Sequence, residues 1–241
     1  MRVLGIESTG QFCGVAVVGD DSVLGREISD VPGKHVEGAV IMIRDLLERV
    51  AVHLKDLDGV AVSLGPGSFT GLRIGLGTAK GLCFGAGLPL VGVPTLDCMA
   101  EGLRPRRGFL APMRDARRGE IYLAFYRSED TMVERISDYR ALRPERAAEE
   151  LAALTADGPV TVAGDALRRY GGYLKECLGE RVVLAPEELW DPDAAVVARI
   201  GLSKLSKGET LDIGKAEPLY LRPSEAERSA GGFIGDAASS H

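Results

Sequence analysis

The chain has 241 residues, a formal net charge of −6 and a pI near 5.3. Proteins that bind nucleic acid unaided usually carry a strongly basic surface, so this charge argues against a principal role in RNA binding. No apolar run reaches the length of a membrane span, and the opening segment becomes acidic at Glu7, too early for a signal peptide. Four scattered cysteines without a Cys-x-x-Cys pair predict reduced thiols in a cytoplasmic protein.

Three strands are predicted to open the chain as an antiparallel meander, at residues 2–7, 13–18 and 23–28. The first strand leads into Glu7-Ser8-Thr9, an acidic residue followed by two hydroxyl residues. Side chains of this kind at the end of a strand are suited to holding phosphate and magnesium. The alternative, which we favour, is a hairpin turn whose side chains bond its own backbone.

A helix is predicted over residues 34–52, where apolar residues recur at helical spacing. Ile41 and Met42 widen the apolar surface of this helix beyond a single stripe. A helix with such broad apolar coverage either lies between two layers or contacts a partner.

A buried strand at residues 60–64 is followed by the turn Gly65-Pro66-Gly67, and then by a helix to about residue 84. Ser68 or Thr70 is expected to cap this helix. A glycine-rich turn between a strand and a helix can cradle phosphate, which makes Gly65 and Gly67 candidates for nucleotide binding. No Walker motif follows, however, so we favour a turn that is shaped for packing.

The glycine-rich helix is predicted to have two distinct sides. Gly77, Gly81 and Gly85 recur four residues apart, on a side where another backbone can approach closely. A second side mixes two cations with two apolar residues, which suits a partner surface, and consists of Arg73, Leu76, Lys80 and Phe84.

The rest of the chain is predicted to alternate strands and helices. A strand at 88–93 should run parallel to the strand at 60–64, because a helix crosses between them. Arginines 104, 106 and 107 mark a domain boundary after a helix that ends near residue 103. The second half is predicted as strands at 109–113, 120–126, 132–136, 159–163 and 181–184, helices at 144–154, 168–178 and 193–205, and an extended segment at 218–221.

The predicted fold class is therefore α/β, with two lobes that each contain a mixed sheet. The lobes are assigned to residues 1–103 and 104–223, and a disordered tail to residues 224–241.

Catalytic patterns are sparse in this sequence. It contains no Gly-x-Ser-x-Gly elbow, and no His-x-x-x-His or Cys-x-x-Cys pair for a metal ion. Glu7, Asp115 and Asp165 each end or follow a predicted strand, so they could serve kinase-like chemistry in a cleft. Surface turns favour aspartate as well. The sequence therefore indicates an interaction protein that has the fold of an enzyme, and it argues against an enzyme.

The segment GPGSFTGLRIG at residues 65–75 resembles the signature of the TsaB (YeaZ) family. The resemblance covers nearly the whole chain before the tail, including DARRGEIY at 115–122, although Glu7 stands where the family usually has aspartate. It implies the two-lobed actin-like ATPase fold shared with sugar kinases and chaperones. It also implies a non-catalytic subunit that binds and activates TsaD, the enzyme that transfers threonylcarbamoyl to N6 of the tRNA adenosine next to the anticodon.

The resemblance further implies the partners of the chain. These are TsaD and the ATPase TsaE, with tRNA contacted only through the complex and no membrane association. TsaD binds its metal through a histidine pair, and Thr95 and Met99 stand at the matching positions here. No tightly bound cofactor is expected, and ATP or ADP at the partner interface is left open.

In this family the first two long helices contact TsaD, or a second copy of the chain as a homodimer. Leu76→Asp should accordingly weaken association and leave the monomer folded. Two alternatives stay open: an independent ATPase or kinase of the same fold, and a glycoprotease-like peptidase. The resemblance places at or near the interface Val36, Val40, Ile43, Leu72, Arg73, Leu76, Lys80 and Phe84.

Overall fold

The computed structural model describes residues 1–20, 22–29, 35–129 and 132–221, without the side chains of residues 35–37 and 157. The predicted tail at 224–241 and the Val36 side chain lie outside what is described. Within the described residues, no helix is long and apolar enough to cross a membrane.

The first sheet has five strands in the order β3-β2-β1-β4-β5. Strand β1 pairs antiparallel with β2 and parallel with β4, and β4 pairs parallel with β5. The predicted meander and the predicted parallel pair are both confirmed. The strands are β1 (Arg2–Glu7), β2 (Gly14–Gly19), β3 (Ser22–Ile28), β4 (Gly59–Gly65) and β5 (Leu90–Pro94).

Two long helices cover one face of the first sheet, α1 (His35–Arg49) and α2 (Phe69–Ala86). Alternate strand residues such as Leu4 and Ile6 pack against them. Ser68 caps α2 by accepting a hydrogen bond from the Gly71 amide at 3.2 Å, so the first of the two predicted caps is confirmed.

The helix α3 (Thr95–Gly102) lies between the two sheets. Its apolar residues Leu96 and Met99, with Leu103 just after the helix, form one buried cluster with strand residues of the second sheet, and its Cys98 belongs to a cluster on the first sheet. The helix therefore belongs to the core of both lobes.

The second sheet has seven strands, with β10-β7-β6-β11-β12 as its main path; β8 pairs with β6, and β9 pairs with β8. Strand β6 is long because its two halves have different antiparallel partners: β8 pairs with its beginning and β7 with its end. The strands are β6 (Gly108–Arg117), β7 (Glu120–Leu123), β8 (Tyr126–Ser128), β9 (Val133–Arg135), β10 (Arg140–Leu142), β11 (Val160–Ala163) and β12 (Val182–Leu184).

Two details of this sheet differ from the sequence prediction. The single strand predicted at 120–126 is two strands, β7 and β8, because the chain changes partner at Ala124–Phe125 and both residues are buried there. The short strand β10 escaped prediction, since all three of its residues are only half-buried and show no alternation.

Helices α4 (Pro144–Leu154) and α5 (Leu167–Leu178) cover the outer face of the second sheet. The bounds predicted for α4 agree with the structure to the residue, and those for β11 and α5 to within one residue.

The last helix, α6 (Ala194–Ser206), packs on the first sheet and not on the second. The chain then stays on the first lobe, where the Leu211 amide bonds the Leu90 carbonyl at 2.8 Å and the Leu219 amide bonds the Leu64 carbonyl at 2.7 Å. The predicted extent of the second lobe, 104–223, is corrected accordingly. Periodicity predicts a helix at α6, but it does not say which sheet the helix covers.

Candidate functional site

The turn after β1 is closed by its own hydrogen bonds. Glu7 is 2% exposed, and its Oε1 accepts from the Thr9 amide at 2.6 Å and from Thr9 Oγ1 at 2.5 Å. Ser63 Oγ donates to the other carboxylate oxygen, and Ser8 Oγ donates to the Gly71 carbonyl at 2.8 Å. The candidate phosphate ligands Glu7, Ser8 and Thr9 are therefore engaged with the protein itself.

Burial raises the pKa of the Glu7 carboxyl above its usual value of 4.5, and the hydrogen bonds from Ser63 and Thr9 oppose this rise. The carboxyl group is almost fully buried and its oxygens already accept hydrogen bonds from Thr9 and Ser63, so in this conformation it is engaged with the protein. Its present role is to organise the end of β1.

The glycines beside this turn bring α2 against it. A Cβ atom on Gly67 would lie 2.6 Å from Cβ of Thr9, and one on Gly71 would overlap the Ser8 carbonyl oxygen. Gly65 has φ of 111°, in the region that favours glycine, and the Leu219 carbonyl lies close to it. Gly65 and Gly67 thus serve close packing, which agrees with the interpretation favoured from the sequence.

The surface of α1 and α2 carries exposed apolar side chains. Phe84 is 84% exposed, Val40 59% and Ile41 50%. Of these, Ile41 was absent from the predicted interface, although the broad apolar coverage of α1 was the signal for it. We call these three residues, together with Gly77, Gly81 and Gly85, the helix-pair surface.

Three residues predicted at the interface lie in the core instead. Ile43 is 3% exposed, Leu72 2% and Leu76 5%. They contact the first sheet, so the expectation that Leu76→Asp leaves the monomer folded is corrected: that change would bury a charge in the core. Helical spacing indicates which side chains share a side, and the tertiary packing decides which side is covered.

The two cations predicted at the interface hold other parts of the same chain. The Arg73 guanidinium lies 3.8 Å from the Phe69 ring centroid, and its Nε donates to Tyr220 Oη at 3.2 Å. Lys80 Nζ donates to the Ala216 carbonyl at 3.0 Å. Both side chains therefore hold the segment that contains Ala216 and Tyr220 against α2.

The glycine side of α2 is open. Nothing described lies within 4 Å of where a Cβ atom would stand on Gly77, Gly81 or Gly85. The close backbone approach predicted for this side instead occurs at Gly71 within the chain. The open side leaves room for the backbone of another molecule.

Asp115 and Asp165, the other predicted acidic candidates, line a cleft of about 810 Å³ between the lobes. The Asp115 amide donates to Asp165 Oδ1 at 2.9 Å. Glu7 is absent from the lining residues of this cleft, so the structure does not bring the three acidic candidates together. Among the described residues, no group of three or more His, Cys, Asp or Glu side chains could hold a metal ion.

These features define a two-lobed α/β protein with a cleft between its lobes. The family model described as "TsaD: tRNA N6-adenosine threonylcarbamoyltransferase" matches residues 30–171. The sequence is also similar to curated proteins named "tRNA threonylcarbamoyladenosine biosynthesis protein TsaB". The Escherichia coli (strain K12) protein is 34% identical, over 94% of this chain and 96% of its own length. The Bacillus subtilis (strain 168) protein is 28% identical, with the same coverage of both chains.

The chain belongs to the TsaB family. A solved structure titled "YeaZ from Pseudomonas aeruginosa" is 26% identical and superposes with a TM-score of 0.79, covering 91% of this chain and 99% of its own. The resemblance inferred from the signature at residues 65–75 is thereby confirmed, and so is the two-lobed α/β fold class.

Proposed function

We propose that this chain acts in tRNA threonylcarbamoyladenosine biosynthesis, as the non-catalytic subunit that binds and activates a TsaD-type threonylcarbamoyltransferase. The names of its relatives support a role in this biosynthesis. The observation that carries the subunit role is the helix-pair surface, where Phe84 is 84% exposed on an ordered helix.

The helix-pair surface has the composition of a protein contact. Large apolar side chains exposed on a protein surface are candidates for an interaction site. Phe84 supplies an aromatic anchor of the kind that dominates binding energy, and Val40 and Ile41 extend the apolar area on α1. The bare glycine side lets a partner helix approach the backbone of α2.

The proposed partner is a homologue of this chain. The match of residues 30–171 to the TsaD model includes both α1 and α2, so the partner should carry a corresponding helix pair. Two related helix pairs can meet about an approximate two-fold axis, and two identical ones about an exact axis. The same surface would then support a homodimer of the isolated chain.

The non-catalytic role is supported by the closed turn at Glu7, whose polar groups bond to one another. Thr95 and Met99 are 0% and 2% exposed, so the positions that match the metal-binding histidines of TsaD lie in the core. We extend the proposal to nucleotide: the isolated chain holds none tightly, and ATP or ADP is bound at the joint surface with the partner. TsaE joins the same assembly. This chain has no direct contact with tRNA, which the assembly binds through TsaD.

Two substitutions test the surface without disturbing the core. Phe84→Glu and Val40→Glu place a charge where the monomer is exposed, so each should leave the melting temperature unchanged. Each should weaken association with TsaD from the same organism by at least about tenfold, or roughly 1.4 kcal/mol. The measurement is light scattering after size exclusion, followed by calorimetric titration.

Val183→Glu is the matched control, because Val183 is 46% exposed on β12 in the other lobe. It should bind TsaD as the unchanged chain does. Equal binding by all three variants would remove the helix-pair surface from the proposal.

The role itself is tested by reconstitution. TsaD and TsaE should modify tRNA efficiently only when the folded chain is present, and the Phe84→Glu variant should restore less activity. If the chain fails to bind TsaD while it hydrolyses ATP alone, the independent ATPase alternative is correct.

A further inference from the structure

The C-terminal part of the described chain runs beside the helix-pair surface. Lys80 Nζ donates to the Ala216 carbonyl at 3.0 Å, and the centroid of the Tyr220 ring lies 5.7 Å from that of the Phe69 ring. Residues 216–220 therefore pass along α2 from its second half toward its first turn. The described part of the chain ends one residue later, beside the start of this helix.

The side of α2 that holds this segment continues into the helix-pair surface. Phe84 follows Lys80 by one helical turn on the same side, and it is 84% exposed. The neighbouring positions Gly81 and Gly85 have nothing described within 4 Å of where a Cβ atom would stand. An exposed aromatic ring and a bare stretch of backbone thus lie next to the path of the C-terminal segment.

The sequence that follows contains one segment that matches this surface. Between residues 222 and 241 there are two large apolar side chains, and they are adjacent, at Phe233 and Ile234. Glycines stand on both sides of the pair, in the sequence GGFIG at 231–235, which we call the GGFIG segment. A backbone without side chains can approach another backbone closely, and an aromatic ring prefers an apolar partner. The GGFIG segment offers both.

The GGFIG segment is close enough to reach the whole surface. Phe69 and Phe84 are separated by about 22 Å along α2, at 1.5 Å per residue. Residues 222–232 span up to about 36 Å when extended, which leaves length to turn back along the helix. A short tether gives an effective concentration on the order of millimolar, so a weak contact suffices for substantial occupancy.

We propose that the GGFIG segment binds the helix-pair surface of its own chain. Its two apolar side chains cover Phe84 and the exposed residues of α1, and its glycines lie against the glycine side of α2. A TsaD-type partner then has to displace the segment before it binds. This competition rests on the proposed function, whereas the contact within the chain does not.

The contact is tested by comparing the full chain with its double variant Phe233→Ser/Ile234→Ser. Glycine amides resonate in a separate region of the nitrogen–proton correlation spectrum, so the three glycines of the helix-pair surface report on it directly. We expect their resonances to differ between the two chains. The resonance of Gly172, which is equally open but lies on α5 in the other lobe, should stay unchanged.

Two further comparisons identify the cause of the difference. Ala237→Ser/Ala238→Ser is the matched control, because it alters two small residues just beyond the segment, and it should leave the glycine resonances unchanged. In a chain that carries Phe84→Glu, the substitutions at Phe233 and Ile234 should have no further effect. The difference should also be the same at every protein concentration, because the contact lies within one chain.

The competition is tested by calorimetric titration with TsaD from the same organism. The Phe233→Ser/Ile234→Ser variant should bind about threefold to tenfold more tightly than the unchanged chain, because its surface is no longer partly occupied. The Ala237→Ser/Ala238→Ser control should bind as the unchanged chain does.

Glycine resonances that are identical in the unchanged chain and the Phe233→Ser/Ile234→Ser variant would overturn the proposal. Differences that vanish on dilution would overturn it as well, since they would arise from a second copy of the chain. Equal affinities for TsaD would overturn the competition. If neither form binds TsaD while the glycine resonances differ, the contact is supported and the proposed function is contradicted.

Discussion

A single carboxyl group, that of Glu7, organises the turn at the end of β1. The Glu7 carboxylate accepts hydrogen bonds from the Thr9 amide, the Thr9 hydroxyl and the Ser63 hydroxyl. A buried carboxylate loses its hydration, and these donors replace only part of it. The hydrogen bonds therefore fix the orientation of the Glu7 side chain, while burial disfavours its charged form.

The raised pKa of Glu7 fixes the direction of a pH dependence. The folded state binds this proton more tightly than the unfolded state, so its stabilising contribution is complete below pH 4.5 and is lost as pH rises through the raised pKa. Glu7→Gln keeps an oxygen acceptor without the charge. We expect its melting temperature, relative to the unchanged chain, to increase from pH 4.5 upward.

The measurement is a series of thermal melts at graded pH. Glu176→Gln is the control, because Glu176 is exposed on α5 and should show no such trend. A constant difference between the Glu7→Gln and unchanged chains at every pH would show that the charge of Glu7 carries no penalty.

At the level of elements, α2 uses its glycines in two opposite ways. Gly71 and Gly75 face the turn after β1, where any side chain would overlap Ser8. Gly77, Gly81 and Gly85 face open space. The first pair is required by the fold of the monomer, and the other three are unnecessary for it.

This division predicts opposite effects for one type of substitution. Gly71→Ala should destabilise the chain by about 3 kcal/mol, because its methyl group collides with the Ser8 backbone. Gly81→Ala should stabilise it by about 1 kcal/mol through helix propensity. Urea unfolding of both variants measures the difference, and a stabilised Gly71→Ala variant would contradict the close approach at Ser8.

The elements also show which features the sequence predicts and which it does not. The bounds of α4 were predicted correctly, and those of β11 to within one residue, because a proline in the first turn and a short apolar run are local signals. Ile43 and Leu76 were predicted at the interface but are buried in the core, because helical spacing defines a side without saying what covers it. The closed turn at Glu7 depends on Ser63 and Gly71, which are distant in sequence.

Across the whole molecule, α3 joins the two lobes. Asp97 on this helix accepts hydrogen bonds from Tyr126 Oη at 2.7 Å and from Tyr139 Oη at 2.8 Å. Burial raises the pKa of both tyrosines, and the Asp97 charge raises it further. Together with the apolar cluster around Leu96, this contact should make the lobes melt as one unit.

Asp97→Ala tests this connection. It leaves two tyrosine hydroxyl groups without their acceptor and should lower the free energy of unfolding by about 3 kcal/mol. Calorimetry gives the stability, and ultraviolet titration should show a lower pKa for Tyr139 once the neighbouring charge is gone. Asp45→Ala, on the surface of α1, is the control.

Two well-separated calorimetric transitions in the unchanged chain would show that α3 does not couple the lobes. An Asp97→Ala variant as stable as Asp45→Ala would show that the tyrosine contacts contribute little.

The return of α6 to the first sheet has a consequence for synthesis on the ribosome. All strands of the first lobe emerge by Pro94, but the helix that covers one face of its sheet begins at Ala194. The second lobe is continuous in sequence and has its strands and outer helices before α6 is made. The nascent chain therefore carries a bare apolar sheet face, lined by Val3 and Val91, throughout translation of the second lobe. A messenger truncated before α6 would encode every strand of the first lobe and still leave that face uncovered.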